Sequence, residues 1–448
     1  MHIIILGAGE SGFHLARMLS NENHDISIVD FDASRVEKIR NLLDVQAFVG
    51  HGTNLNVLKD AGIHHTDMLV AVTSTDEVNI LACMIAKKLG VGITVCRVRT
   101  DEYIEEDSLF PLKTLGVDLA VNPENETAKE ILQLIRYPQV LDMLEFEEGK
   151  VVMVAVKLDA DSPVLGKTLR SMAKMFPKLI YRIVAINRNG STLVPTGNDI
   201  LQADDNIYVI TLKESLPGLF PIVGKKEAEV KNVMVLGGGK IGRAVAAGLE
   251  KDRKFRVKLI ESDREKSRWV AENLKNTMVV YGDGTDIDLM ASEGILDMDV
   301  YIAVTDDDEN NIVSSLVARH LKVRRTITLI GKSDYLPVIK AIGLDLAVNK
   351  KFVLANTVMK FLRRGRIVTM AALKGVEGDM IEFQVTANSK VVGKFLKDIK
   401  FPDGSLVAAI SHDDKLSIAT GDSKIYIGDR VIVYTLHSAE KDVVKLFA

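Results

Sequence analysis

The chain is written twice. Residues 3–12 read IIILGAGESG and residues 233–242 read VMVLGGGKIG, while GHGTN at 50–54 is answered by GDGTD at 282–286. LKDAGI at 58–63 pairs with MASEGI at 290–295, and DMLVAVTSTDEVNI at 67–80 with DVYIAVTDDDENNI at 299–312. GVDLAVN at 116–122 returns as GLDLAVN at 343–349. The match continues through VLGKTL (164–169) and VVGKFL (391–396) to DDNIYVIT (204–211) and GDRVIVYT (428–435). The offset stays near 230 residues throughout. Such a register obliges both halves to adopt the same succession of elements. A chain of 448 residues also exceeds what one hydrophobic core can hold.

Within a half, strand-like and helix-like runs alternate. Residues 2–6 and 25–29 are apolar and β-branched, as buried parallel strands require. Between them, residues 11–19 have helical spacing through Leu15 and Leu19. Residues 34–43 follow as a helix with Val36, Ile39, Leu42 and Leu43 on one side, and Asp32 or Ser34 can cap it. A strand at 69–72 precedes a helix carrying Ile80, Leu81, Met84, Ile85 and Leu89, stopped by Gly90. The later part of each half has short β-branched runs with turns such as Asn189-Gly190 and Asp403-Gly404. The fold class is therefore α/β: two doubly wound Rossmann-type parallel-sheet domains, each followed by a small α+β C-lobe, in tandem duplication. The boundaries are 1–125, 139–216, 230–350 and 367–448. Residues 217–231 form the clearest linker, with further joints near Arg136-Tyr137-Pro138 and at 363–366.

Gly7-Ala8-Gly9-Glu10-Ser11-Gly12 lies between a strand and a helix. The first glycine permits a tight turn, the second lets backbone approach a pyrophosphate, and the third lets helix and strand pack closely. The helix N-terminus supplies N–H donors and the positive end of a dipole. Asp30, at the end of the second strand, suits a ribose 2′-hydroxyl. The second copy is Gly237-Gly238-Gly239-Lys240-Ile241-Gly242 with Glu261 as its acid, and Lys240 adds a cation. An acid at both positions favours NAD(H) over its 2′-phosphorylated form; adenine nucleotides with free ribose hydroxyls satisfy it equally.

Thr73 and Ser74, with Thr305 in the second half, fall at a strand's carboxyl end, where ligands sit in open α/β sheets. They suit nucleotide contact or helix capping. The acids and amides around Asp76 and Asp308 read as dipole-stabilised helix starts. Arg97 and Arg99 share one strand face; Arg97 can meet phosphates or serve as an ion-pair partner. Its counterpart is Leu329, so the two sites should bind unequally. His51, His64 and His65 lack the carboxylate company of a metal site and read as surface residues. RRGR at 363–366 reads as a solvated helix end.

A net charge of −4 gives no electrostatic reason to expect nucleic acid. Cys83 and Cys96 cannot build a disulfide framework, which suits a reducing compartment. The N-terminal apolar run is too short, and too poor in basic residues, for a signal peptide. No stretch approaches the ~20 apolar residues of a membrane span. A membrane role would therefore act through a partner.

GAGESG with Asp30, the GxGT pattern at Gly50 and Gly282, Ala61-Gly62, AVTSTDE at 71–77 and CRVR at 96–99 run through a full-length N-lobe, C-lobe, N-lobe, C-lobe order. In this the chain resembles the TrkA family, the cytosolic regulatory subunits of the Trk potassium uptake system, each half being similar to one regulator-of-K⁺-conductance unit. The resemblance implies a cytoplasmic protein peripheral to the inner membrane face. It also implies a homo-oligomer, dimer or tetramer, seated against a TrkH- or TrkG-type transporter, with NAD⁺, NADH or ATP/ADP as regulatory ligands and no catalytic residues. Site one would use Gly7, Ala8, Gly9, Glu10, Ser11, Asp30, Thr73, Ser74 and Arg97. Site two would use Gly237, Gly238, Gly239, Lys240, Ile241, Glu261 and Thr305. An NAD-dependent dehydrogenase is the competing reading, but the C-lobes are small and offer no convincing proton-donor pair. A nucleotide-binding scaffold without a potassium role is the third.

Overall fold

The opening apolar run is β1 (His2–Leu6), with Ile3 to Leu6 inaccessible to solvent. The computed structural model describes all residues except 22–23, 105–110, 178, 226–228, 336–338, 340, 363–366, 374, 413–414 and 448. After β1 come α1 (Glu10–Asn21), β2 (Asp25–Asp30), α2 (Ala33–Leu42), β3 (Gln46–Val49), α3 (Leu55–Asp60) and β4 (Met68–Ala71). Then follow α4 (Asp76–Lys88), β5 (Ile93–Arg97), β6 (Leu119–Val121) and α5 (Pro123–Arg136). All strand pairs are parallel, in the order β3-β2-β1-β4-β5-β6. The order reverses between β1 and β4, so the loops leaving these two strands diverge and open a crevice at their carboxyl ends.

The first C-lobe is built from β7 (Asp142–Phe146), β8 (Val151–Lys157), α6 (Leu169–Met175), β9 (Tyr181–Arg188), β10 (Ser191–Leu193) and β11 (Asn206–Leu212). Its sheet is antiparallel, ordered β10-β9-β11-β8-β7. Asn189 and Gly190, at φ 52° and 83°, make the two-residue turn between β9 and β10; the left-handed pair matches the twist of the strands it joins. The segment 217–231, read from sequence as linker, begins instead as α7 (Leu216–Ile222). Pro217 sits in its first turn, where a missing N–H costs nothing, and Leu216, Leu219 and Phe220 enter the lobe's core.

The second half repeats both sheets. Its parallel lobe holds β12 (Asn232–Leu236), α8 (Lys240–Glu250), β13 (Arg256–Glu261), α9 (Arg264–Asn273), β14 (Thr277–Tyr281), α10 (Ile287–Ser292) and β15 (Val300–Ala303). It continues through α11 (Asp308–His320), β16 (Arg325–Leu329), β17 (Leu346–Val348) and a closing helix, Lys350–Leu362. The strand order β14-β13-β12-β15-β16-β17 reproduces that of the first lobe. The last lobe contains β18 (Ile367–Ala372), β19 (Asp379–Gln384), β20 (Ser405–His412), β21 (Lys415–Ile418) and β22 (Arg430–Thr435), ordered β18-β19-β22-β20-β21, and a final helix, Glu440–Phe447. The joint expected at 363–366, with its RRGR sequence, lies outside the described residues.

The compact units of the molecule are not its two halves. Met1–Leu132 and Lys231–Val358 form one unit; Gln133–Val230 and Met359–Ala448 form the other. The two parallel-sheet lobes thus pack together, and so do the two antiparallel ones. In the latter unit a single apolar cluster draws Phe146, Met153 and Tyr208 from one lobe and Met380, Ala408 and Tyr434 from the other. Among the described residues no helix is long and apolar enough to cross a membrane.

Candidate nucleotide sites

Each glycine-rich turn follows the central strand of its sheet. Gly7 has φ +106° and Gly237 φ +104°, a conformation that side chains avoid. A Cβ on Gly12 would stand 1.8 Å from the carbonyl oxygen of Gly7, and one on Gly242 1.9 Å from that of Gly237. These glycines let the helix close onto the strand. The middle glycine is different. A Cβ on Gly239 would meet nothing within 4 Å, and one on Gly9 only the Arg35 guanidinium at 4.0 Å. Open space therefore faces the turn where α1 and α8 begin, and the leading N–H groups of a helix have no partner within it. Room and donors together fit a phosphate.

The acids at the ends of β2 and β13 are buried, and both hold the turn. Asp30 Oδ2 accepts from the Ala8 N–H at 2.6 Å, and its Oδ1 from the Asp32 N–H at 2.9 Å. Glu261 Oε2 accepts from the Gly238 N–H at 2.7 Å, and Oε1 from the Asp263 N–H at 3.0 Å. Burial raises the Glu261 carboxyl, but Lys266, 2.8 Å away, and the two backbone donors outweigh it and keep the group below the ordinary range. Arg35 stands 3.9 Å from Asp30 in the corresponding place.

Thr73 and Thr305 lie beside these turns, but their hydroxyls are engaged. Thr73 donates from Oγ1 to Asn79 Oδ1 at 2.7 Å, and Thr305 does the same to Asn311 at 2.7 Å. Each asparagine is buried and also donates to the chain leaving the next strand, Asn79 to the Arg97 carbonyl and Asn311 to that of Leu329. The Arg97–Leu329 equivalence is thus visible in the bonding. Asp76 and Asp308 open α4 and α11, as helix-start acids should, and they also act as brackets. Asp76 accepts from the Arg99 and Thr100 N–H groups, and Asp308 from those of Gly331 and Lys332. Ser74 is exposed, and Ile241 is a core residue that can offer only its backbone.

Lys240, Lys350 and Lys351 meet partners in the opposite lobe. Lys240 donates to the Arg99 carbonyl at 2.8 Å. Glu10 pairs with Lys351, at the start of the helix Lys350–Leu362. Arg97 and Arg99 reach Glu124 Oε1 at 3.8 and 3.6 Å, and Lys350 reaches the same oxygen at 3.4 Å. Burial pushes Glu124 up, but Lys350 and Arg97, then Arg99, hold it below the usual carboxylate range. Three cations thus surround one carboxylate, and Asp76 also faces Arg97. Glu124 was not singled out from the sequence; its counterpart Lys351, of opposite charge, is the signal that could have found it.

Family models of the TrkA-N domain match residues 3–123 and 233–350, and those of the TrkA-C domain match 153–224 and 380–448. The chain belongs to the TrkA family. The Trk system potassium uptake protein TrkA of Halomonas elongata is 34% identical across all of this chain and 98% of its own length. TrkA homolog 2 of Methanosarcina mazei is 34% identical with both chains fully covered. Among solved structures the GsuK RCK domain aligns with a TM-score of 0.64 at 20% identity, over 100% of this chain and 94% of that one. The GsuK channel bound to NAD gives the same TM-score and identity over 100% and 78%. These structural likenesses show the fold. The two TrkA-N lobes carry the glycine turns described above, and the two TrkA-C lobes make up the antiparallel unit.

Proposed function

We propose that this chain is a nucleotide-sensing regulatory subunit that binds NAD(H), ATP or ADP in its TrkA-N lobes and so gates a Trk-type potassium transporter in the membrane. The observation that carries the reading is the open turn at Gly9 and Gly239, backed in each lobe by a buried acid. In site one the turn 7–11 and Asp30 hold the ligand, with Arg97 near its phosphates and Thr73 and Ser74 at the rim. In site two the turn 237–241, Glu261 and Thr305 do so without an arginine at 329. The names of the relatives, which are potassium uptake proteins, and of a structural neighbour bound to NAD support the assignment. The chain would assemble as a homo-oligomer on the cytoplasmic face of a TrkH- or TrkG-type subunit.

A ligand shifts such a partner only through its different affinity for two conformations. Reversing a 1:99 equilibrium takes about 5.5 kcal/mol, a preference that several sites in an oligomer could share. The test uses Gly9→Val and Gly239→Val, which place a side chain in the open space of one site at a time. Each should weaken NAD⁺, NADH, ATP or ADP binding at its own site by roughly tenfold or more, about 1.4 kcal/mol. Each should also reduce the nucleotide dependence of potassium flux in vesicles carrying the transporter. Flux that still follows nucleotide after both sites have lost affinity would overturn the reading, as would rapid NADH oxidation by the purified protein.

A further inference from the structure

The two TrkA-N lobes join through helices that the duplication makes equivalent. The closing helix Lys350–Leu362 meets α1, where Lys351 pairs with Glu10 and Phe352 lies edge-on to His14. In the other direction α5 meets α8, and a Cβ on Gly248 would stand 2.5 Å from Leu132 Cδ1. Each lobe thus gives its first helix to the other's last. Both last helices open on the same asparagine cap: Asn122 Oδ1 accepts from the Glu124 N–H, and Asn349 Oδ1 from the Lys351 N–H. In that register Glu124 corresponds to Lys351 and Leu132 to Met359. In the register of the glycine turns, Glu10 corresponds to Lys240 and Met18 to Gly248.

Across this seam the acids come from the first lobe and the lysines from the second. Besides Glu10 with Lys351, Glu124 takes Lys350 at 3.4 Å, and Asp101 attracts Arg243 of α8. Lys240 is drawn in as well, onto the Arg99 carbonyl at 2.8 Å. Like lobes would meet differently. First against first would set Glu10 towards Glu124 and push Met18 onto Leu132, where a single Cβ already overlaps. Second against second would set Lys240 towards Lys351 and leave Met359 facing the bare backbone of Gly248. Arg97 and Arg99 accompany Glu124 within the first lobe itself, and they ease only the charge, not the crowding.

We propose that the inverted charges and the Gly248–Leu132 fit make this surface selective, so that a first TrkA-N lobe accepts a second one and each refuses a copy of itself. Selectivity is a difference of affinities, and a like-charged or overcrowded wrong partner widens it as much as a good fit to the right one. Two lobes built on one plan need such a device, since their shared framework would otherwise let either pair with its own kind. The inference concerns how lobes choose partners and stands apart from the nucleotide reading.

Charge exchange in the full-length protein tests this, read by amide hydrogen exchange in α1 and the closing helix without nucleotide. The Glu10 side chain is 73% exposed, so Glu10→Lys should fold. It sets lysine against Lys351, as pairing of two second lobes would, and should speed exchange there by about fivefold or more. Adding Lys351→Glu should return exchange to within about twofold of wild type. That rescue separates the seam from the local loss of an acid at a helix start. Gly248→Met, which gives α8 the first lobe's residue, should speed exchange in α5, and Leu132→Ala in the same chain should reverse part of the change. Wild-type exchange in Glu10→Lys would overturn the proposal, as would a reversed pair no better protected than Glu10→Lys alone. It would also fall if Gly248→Met left α5 unchanged.

Discussion

Gly12 and Gly9 belong to one motif but answer to different constraints. Gly12→Ala drives a Cβ into the Gly7 carbonyl, a backbone group that cannot swing aside. We expect it to cost about 3 kcal/mol or more, against a change within about 0.5 kcal/mol for Gly9→Ala, measured as shifts in urea midpoint. Equal losses in the two variants would contradict the division between a packing glycine and one that faces open space. The glycine spacing and the acids at 30 and 261 were legible in the sequence because both are local in the chain. What the acids do first was not. Asp30 meets the Ala8 amide across 22 residues, a bond that only the folded sheet creates. Arg97 shows the same limit: its carboxylate partner, Glu124, sits beyond β6 on α5 and is shared with a lysine from the other lobe.

At the level of elements, the strand–helix alternation was readable because buried parallel strands and amphipathic helices have distinct periods. Helix ends were less so. α4 begins at Asp76, four residues before Ile80 opens its buried apolar stripe, and Asn79 and Asp76 are tied to the backbone at the ends of β4 and β5. These polar residues act as clamps, and charge pattern alone could not separate clamp from dipole partner. The turn chemistry at Asn189-Gly190 was plain, whereas α7 was hidden by two prolines and a glycine that mimic a linker. Replacing Asn79 by Leu strands the Thr73 N–H and frees the Arg97 carbonyl from its donor. Each buried group left unsatisfied costs about 1–3 kcal/mol. Asn79→Leu and Asn311→Leu should therefore destabilise by similar amounts, and denaturant melts of the two variants check this. A neutral result for either would mean that water replaces the clamp.

At the scale of the molecule, the sequence shows two halves but not how their lobes are shared out. Like pairs with like, through apolar residues and charges that no motif marks in the sequence. His14 on α1 lies in the TrkA-N pairing, edge-on to Phe352 with ring centroids 4.3 Å apart, its Nε2 buried without a hydrogen-bond partner. Burial, then Arg17 and Lys351, lower its pKa from 6.5 to about 4. Between those values the unfolded chain binds the extra proton, so stability falls as the pH drops from 6.5 towards 4, by up to ~1.4 kcal/mol per pH unit. His14→Leu should flatten that part of the profile while leaving stability at pH 8 little changed. An unaltered acid slope in urea melts from pH 7 to pH 5 would remove His14 from this role. The swapped partnership has one more consequence. Because both members of each pair are carried on one polypeptide, each lobe meets its mate at an effective concentration set by the intervening chain. Dilution, expression level and competition from other copies therefore leave the paired lobes intact, and the amount of this protein can vary over a wide range without changing how the lobes of a single chain are matched.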